Sequence, residues 1–249
     1  MHNQLVALVT GANKGIGLQI AKDLAAHGLT VLIGSRELAR GEAAAKSVTG
    51  ARALQLDVTD AASIQSAAEQ IRKDLGRLDV LVNNAGIAHV GGWDLPFEEM
   101  IRTRRPSNAA LSEVRAVFET NVFGVIAVTQ ALLPLLLEAP AGRIVNVSSR
   151  IASLTVITDP AFPMRGIGGV AYGPSKTALN ALTIAFAREL EGTTVKVNLA
   201  CPGYTATDLN GHSGPRTTTE AAQEPVRLAL LGPDGPSGTF SNDDGSIPW

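Results

Sequence analysis

Short apolar runs rich in leucine or β-branched residues recur along the chain at Leu5–Val9, Leu29–Ile33, Ala53–Leu56, Leu78–Val82, Arg143–Val147 and Thr194–Leu199. Between them lie longer alanine-rich stretches with helical spacing, such as Ile16, Ile20, Leu24 and Ile64, Ala67, Ala68, Ile71, Leu75. Strands that are apolar without alternation are covered on both faces. Strand, helix, strand repeated in this way builds a parallel sheet with helices on both sides. The expected class is therefore α/β, a doubly wound domain with a central, mostly parallel seven-stranded sheet, to which Gly238–Ser241 adds a late edge strand. A chain of 249 residues buries roughly 70–75% of its unfolded surface. No Pro/Gly/Ser linker divides it, so residues 1–249 read as one unit.

Composition excludes several function classes. Lys and Arg number 21 against 23 Asp and Glu, a net charge of -2, with no basic run. Nucleic acid and anionic membranes are not expected partners, because phosphate binding needs a concentrated cationic surface. One cysteine, Cys201, rules out an internal disulfide framework and makes a reducing, cytoplasmic location the default. His2, His27, His89 and His212 show no metal-ligand spacing, and no metal site is expected. The start of the chain carries no basic segment ahead of its first apolar run, so no secretory signal is read there. The uncharged stretch between Glu119 and Glu138 contains Asn121, Thr129, Gln130 and Pro134 and reads as a buried helix rather than a membrane span. Two regions break the rhythm, His89–Asn108 and Ile151–Ala171, and both read as loops able to cover a site.

The first strand runs into Thr10-Gly11-Ala12-Asn13-Lys14-Gly15-Ile16-Gly17 and then a helix. Glycines there let the backbone turn sharply and approach a pyrophosphate, which the free N–H groups of the helix start stabilise. A glycine pattern alone is weak, but its place between the first strand and first helix of a βαβ unit makes it a dinucleotide-binding signal of Rossmann type. The second strand ends in Ser35-Arg36, nineteen residues beyond Gly17. An NAD site puts an acid at that point; a guanidinium suits the 2′-phosphate of NADP, with Lys14 and Arg40 adding positive charge. The competing reading makes Arg36 a solvated surface residue and gives the ribose to Glu37.

Gly11, Asp57, Asn83, Ser148 and Cys201-Pro202-Gly203 each follow a strand, so all of them fall on the carboxyl edge of the sheet, where ligands of open α/β sheets bind. Tyr172 and Lys176 are four apart at the start of a helix, which puts phenol and ammonium on one face. An ordinary phenol has a pKa of about 10, and a neighbouring ammonium is expected to lower it and make Tyr172 an acid/base group. Alone, Tyr-x-x-x-Lys is a common surface pair. Beside Ser149 and the glycine loop it carries weight.

Taken together, Thr10–Gly17, Asn83-Asn84-Ala85-Gly86, Ser148-Ser149, Tyr172-Gly173-Pro174-Ser175-Lys176 and Pro202-Gly203 resemble the short-chain dehydrogenase/reductase family over essentially the whole chain. The glycine loop and Ser35-Arg36 with Arg40 are most similar to its NADPH-dependent carbonyl reductases. The resemblance implies that Tyr172 donates a proton to a carbonyl oxygen as hydride arrives from NADP(H). Ser149 would hydrogen-bond that oxygen, Lys176 would also hold the nicotinamide ribose, and Asn121 would position Lys176. Ser148 and Ser149 compete for the serine role, and the family pattern favours Ser149. By the same resemblance Asp57-Val58 meets the adenine, Asn84-Ala85-Gly86 lies beside the adenosine ribose, and Thr205 and Thr207, after Pro202-Gly203, hold the carboxamide and a phosphate.

The implied partner is a small-molecule carbonyl substrate. Substrate loops are expected near 88–108, 150–171 and 204–220. Ser149 and Tyr172 are 23 positions apart, which leaves open whether the family's homo-oligomer, dimer or tetramer, forms. Trp93, Phe162, Met164 and Tyr204 line the pocket or plug their own loops. Arg102, Arg104 and Arg105 read as a solvated cluster, since Thr103 and Pro106 break any helical face. The alternative enzyme, a 3-oxoacyl thioester reductase, would use those arginines on an anionic carrier. A non-catalytic NADP(H)-binding regulator would need the glycine loop without the proton-transfer group.

Overall fold

The computed structural model describes residues 4–90, 97–163 and 169–249, apart from the side chains of Phe97 and Met100. Its first half runs β1 (Val6–Val9), α1 (Gly15–Ala26), β2 (Thr30–Ser35), α2 (Leu38–Ala45), β3 (Arg52–Gln55), α3 (Ala61–Asp74) and β4 (Val80–Asn83). Then follow α4 (Phe97–Arg104), α5 (Leu111–Phe118), a π-helical turn (Glu119–Phe123), α6 (Gly124–Glu138), β5 (Arg143–Val147), α7 (Leu154–Thr158) and α8 (Tyr172–Glu189). The chain closes with β6 (Lys196–Ala200), α9 (Thr218–Ala229), β7 (Phe240–Asn242) and β8 (Gly245–Ser246).

These strands make one sheet of order β3-β2-β1-β4-β5-β6-β7-β8. Every pairing is parallel except β7 with β8. The sheet has eight strands rather than the expected seven, because a two-residue return pairs Ser241 with Ser246 and Asn242 with Gly245. A segment that short carries no apolar pattern to read.

Successive side chains alternate between the faces. Leu8, Leu32, Leu81 and Ile144 meet Ile64 and Ile71 of α3 and Leu132 and Leu136 of α6. On the other face Val9, Val31, Val82 and Val145 meet Ile20 and Leu24 of α1 and Val226 of α9. Each such side chain stabilises the fold by about 1.5–3 kcal/mol when fully buried. Leu111–Glu138, 28 residues whose most apolar 18-residue window has mean hydropathy 1.8, is long and apolar enough to cross a membrane, yet half of that window is buried inside the fold. The packing of α6 on the sheet accounts for that composition.

Buried polar groups fix the sheet near its carboxyl edge. Asn83 Nδ2 donates to Asn146 Oδ1 at 2.8 Å and to Thr129 Oγ1 at 3.2 Å, and Asn146 Nδ2 donates to Thr183 Oγ1 at 2.8 Å. The chain of bonds runs from α6 through β4 and β5 to α8.

Both expected loops contain helix. Thr103 sits inside α4 with its hydroxyl donating to Glu99 O at 2.9 Å, which satisfies it within the helix. Arg102 and Arg104 therefore share one helix, which ends at Arg104, two residues before Pro106. The Ile151–Ala171 region begins within a 3₁₀ turn, Arg150–Ala152, and continues into α7, which Ser153 caps by accepting from Val156 N–H at 3.0 Å.

Candidate active site

The glycine loop is shaped by close approach. Gly11 has φ +62°, and a Cβ there would lie 2.9 Å from Ala85 Cα; a Cβ on Gly17 would lie 2.4 Å from Asn84 Nδ2 and 2.7 Å from Gly11 O. Only glycine lets Asn84-Ala85-Gly86 lie against the loop. Asn84 Nδ2 donates to Thr10 O (2.9 Å) and Gly11 O (3.2 Å), while Thr10 Oγ1 accepts from Asn84 N–H and Ala85 N–H, each at 3.0 Å. Helix α1 then starts with Lys14 at its N-cap, no side-chain cap and no acid in its first turn. Its first N–H groups and the positive end of its dipole are left for an anion.

This loop lines an open cleft of about 2470 Å³. The volume exceeds the roughly 300–1,000 Å³ of an ordinary small-ligand pocket and has room for a long ligand beside a second molecule. At the end of β2, Ser35 is buried and its hydroxyl donates to Glu37 O at 2.9 Å. Arg36 is exposed and lines the cleft. Arg40 Nε lies 2.9 Å from the Glu37 carboxylate, so the acid that competes for the ribose is already engaged. Asp57 and Val58 line the same cleft, and Asp57 Oδ1 accepts from Thr59 N–H and Oγ1 at 2.9 and 2.7 Å.

The proton-transfer group assembles where β5 meets α8. Lys176 is 4% exposed, donates from Nζ to Val147 O at 2.7 Å, and lies 5.9 Å from the centre of the Tyr172 ring. Ser149 lines the cleft beside Tyr172, and its hydroxyl is the neighbour that lowers the phenol's pKa. Ser148 is 2% exposed and donates to Asn180 Oδ1 at 2.7 Å, so of the two competing serines Ser148 is committed away from the phenol.

Asn121, fully buried, sits in the π-helical turn, a local widening frequent at functional sites. Its Oδ1 accepts from Ile87 N–H (2.9 Å), and its Nδ2 donates to Ile87 O (2.9 Å) and Ser175 Oγ (3.0 Å). It clamps the segment after β4 to α8, one residue from Lys176. A Cβ on Gly86 would lie 3.2 Å from Asn121 Oδ1 and 3.5 Å from Lys176 Nζ, so both side chains pack on that glycine.

The electrostatics reverse one expectation. Burial pushes the Tyr172 phenol above its ordinary value, Cys201 adds to the rise, and the Ser149 hydrogen bond only partly opposes it. Loss of water around the hydroxyl is the larger effect. Burial also lowers the Lys176 amine to about 8. Cys201 itself is buried, and its Sγ accepts from Arg150 N–H at 3.1 Å.

The loop after β6 is held in part by bonds within itself. Thr205 is buried and its hydroxyl donates to Pro202 O and Gly203 O, both at 3.3 Å; Thr207 caps the 3₁₀ turn Asp208–Asn210. Both line the cleft, with the Thr205 hydroxyl committed inside the loop. Phe162 and Tyr204 line it too, joined by Leu154 and Ile157 of α7, which no sequence pattern singles out. Trp93 and Met164 lie outside the described residues. Arg102 and Arg105 are exposed as expected, but Arg104 lines the cleft and is partly desolvated, which lowers its pKa. The Lys14 ammonium lies 2.5 Å from Asp208 Oδ2, a contact across 194 residues that sequence reasoning missed.

Known proteins resemble this chain. A family profile described as short chain dehydrogenase matches residues 5–217. A (-)-isopiperitenone reductase from Mentha piperita is 36% identical over 311 aligned residues, covering 98% of each chain. Carbonyl reductase [NADPH] 1 from Pongo abelii is 34% identical, again over 98% of each. The structure of an NADPH-bound carbonyl reductase from chicken fatty liver superposes with a TM-score of 0.81 at 27% identity, covering 99% of this chain and all of that one. With the profile spanning most of the sequence and such relatives end to end, the chain belongs to the short-chain dehydrogenase family.

Proposed function

We propose that the protein is an NADP-dependent oxidoreductase that reduces a small ketone or aldehyde to the alcohol, with Tyr172 as proton donor. The observation that carries this reading is that Ser149, Tyr172 and Lys176 share one cleft with the uncapped start of α1 and with Arg36. The similarity to reductases named for NADPH supports the choice of cofactor. Residues 1–249 act as one cofactor-binding and catalytic unit, with substrate contacts from the segments near 88–108, 150–171 and 204–220.

The residues fit a dinucleotide. The N–H groups along Gly11, Asn13, Lys14, Gly15, Ile16 and Gly17 take the pyrophosphate. Arg36, with Ser35, Lys14 and Arg40, takes the 2′-phosphate, and Asp57 and Val58 flank the adenine. Asn84, Ala85 and Gly86 back the adenosine ribose. Tyr172 and Lys176 hold the nicotinamide ribose, and Pro202, Gly203, Thr205 and Thr207 border the carboxamide and a phosphate. When bound, NADPH supplies the hydride.

The protein's part is the proton. A phenol whose pKa is pushed up by burial stays protonated through the neutral range and keeps the donor form populated. A forming alkoxide is a stronger base than a phenolate, so transfer from Tyr172 to the carbonyl oxygen runs downhill. Ser149 hydrogen-bonds both the phenol and the incoming oxygen and so sets the direction of transfer. Lys176, fixed by Val147 O, holds the ribose side, and Asn121 positions it through Ile87 and Ser175.

The test follows NADPH absorbance with a panel of aryl ketones, 3-oxoesters, quinones and steroids. Carbonyl-dependent loss of NADPH is expected. Tyr172→Phe should cut turnover about 10²–10⁴-fold while leaving NADPH affinity within a small factor. A variant of undiminished rate overturns the role given to Tyr172.

A further inference from the structure

The segment from Gly203 to Thr217 is folded on itself. Asn210 Nδ2 donates to Thr205 O (2.8 Å), Thr207 N–H donates to Asn210 Oδ1 (3.2 Å), and His212 N–H donates to Thr207 O (2.9 Å). Its two ends join where Ala206 N–H donates to Arg216 O and Arg216 N–H donates to Tyr204 O. Among the described residues His212 alone of the non-glycines has a left-handed backbone, φ +60°. Such strain persists where surrounding bonds over-determine it. The segment has the makings of a body that moves as a unit.

Two ion pairs tie this body down. Arg216 reaches Asp243, in the turn between β7 and β8, at 2.6 Å. On the cleft side Asp208 Oδ2 takes the Lys14 ammonium at 2.5 Å, and its other oxygen lies 2.8 Å from His212 Nε2. Lys14 is also the N-cap of α1, at the anion-binding end of that helix. The cation nearest a bound phosphate is therefore already held by a carboxylate of the protein.

We propose that Asp208 is an internal competitor for the cofactor's phosphate. It occupies Lys14 in the free protein and holds the 204–216 segment across the cleft, and a dinucleotide enters by exchanging phosphate for carboxylate on that ammonium. The inference rests on the NADPH reading above. An ion pair with both partners more than half exposed holds weakly, so the barrier it adds is small and quickly crossed.

A double-mutant cycle on NADPH association, followed by stopped-flow fluorescence, separates this from a plain charge effect. Asp208→Asn should bind NADPH about two- to fivefold faster than wild type, and Asp208→Glu at close to the wild-type rate. In a Lys14→Gln background, Asp208→Asn should change nothing, because the group competed for is gone. Equal acceleration in both backgrounds, or none in either, overturns the proposal. Failure of the wild type to bind NADPH at all overturns the cofactor reading and this proposal with it, whereas binding with a flat cycle removes this proposal alone.

Discussion

At the scale of single residues, a group proposed to serve the chemistry is also one that costs stability. Lys176 holds an amine in a site where burial lowers its pKa from 10.5 to about 8. The folded protein thus releases that proton more readily than the unfolded chain. Below pH 8 the full penalty applies, on the order of 3 kcal/mol, offset in part by the bond to Val147 O. Between pH 8 and 10.5 the unfolded state binds more protons, so this group makes stability rise with pH. Lys176→Met, which keeps the volume and removes the charge, should raise the melting temperature at pH 7 by a few degrees and abolish turnover. That gain should shrink as pH approaches 10.5. Melting curves of both proteins at pH 7 and pH 10 check it, and a variant no more stable at either pH would contradict the sign. The pair Tyr172 and Lys176 was legible from i, i+4 spacing at a helix start. The direction of their pKa shifts was not, since it is set by how much water the fold removes. Nor could spacing alone choose between Ser148 and Ser149, of which Ser148 is taken up by Asn180.

At the scale of elements, the site depends on β4 and β5 ending in register. Asn146, 1% exposed, both accepts from Asn83 and donates to Thr183. Asn146→Ala removes a partner from each, and every buried polar group left short costs about 1–3 kcal/mol. A loss of about 2 kcal/mol, or roughly 4–8 °C in melting temperature, is expected. Adding Asn83→Ala should cost less than the two single losses summed, because the bond between them is already gone. Strict additivity in thermal unfolding would show that the ladder does not act as a unit. The runs that became β1, β4, β5 and β6 were readable because burial on both faces makes these strands predominantly apolar without period-two alternation. Helix α4 was not: Thr103 and Pro106 argue against helix locally, and the bond from Thr103 to Glu99 decides otherwise. The π-helical turn at Asn121 leaves no mark in sequence, for one extra residue in a helical turn changes no periodicity that a short window can detect.

At the scale of the whole molecule, the two halves of the cleft come from opposite ends of the chain. Their meeting, as in the contact of Lys14 with Asp208, is a product of topology that no local pattern carries. A ligand spanning the cleft bonds to groups on β1, β2, β4, β5, α8 and the loop after β6 at once, so binding should register as global stability. Ligand at a hundred times its dissociation constant adds about 2.7 kcal/mol, which for a chain of this size is roughly 5–11 °C in melting temperature. NADPH should give such a shift. NADH at the same concentration should give a smaller one, because Arg36 then has no 2′-phosphate to hold. Arg36→Ser should bring the NADPH shift down towards that of NADH while leaving the NADH shift in place, since the pyrophosphate contacts of the glycine loop are common to both. Equal shifts with the two cofactors in the wild-type protein would show that Arg36 does not hold the 2′-phosphate, and a larger shift with NADH would give the ribose to Glu37, which would then have to leave Arg40.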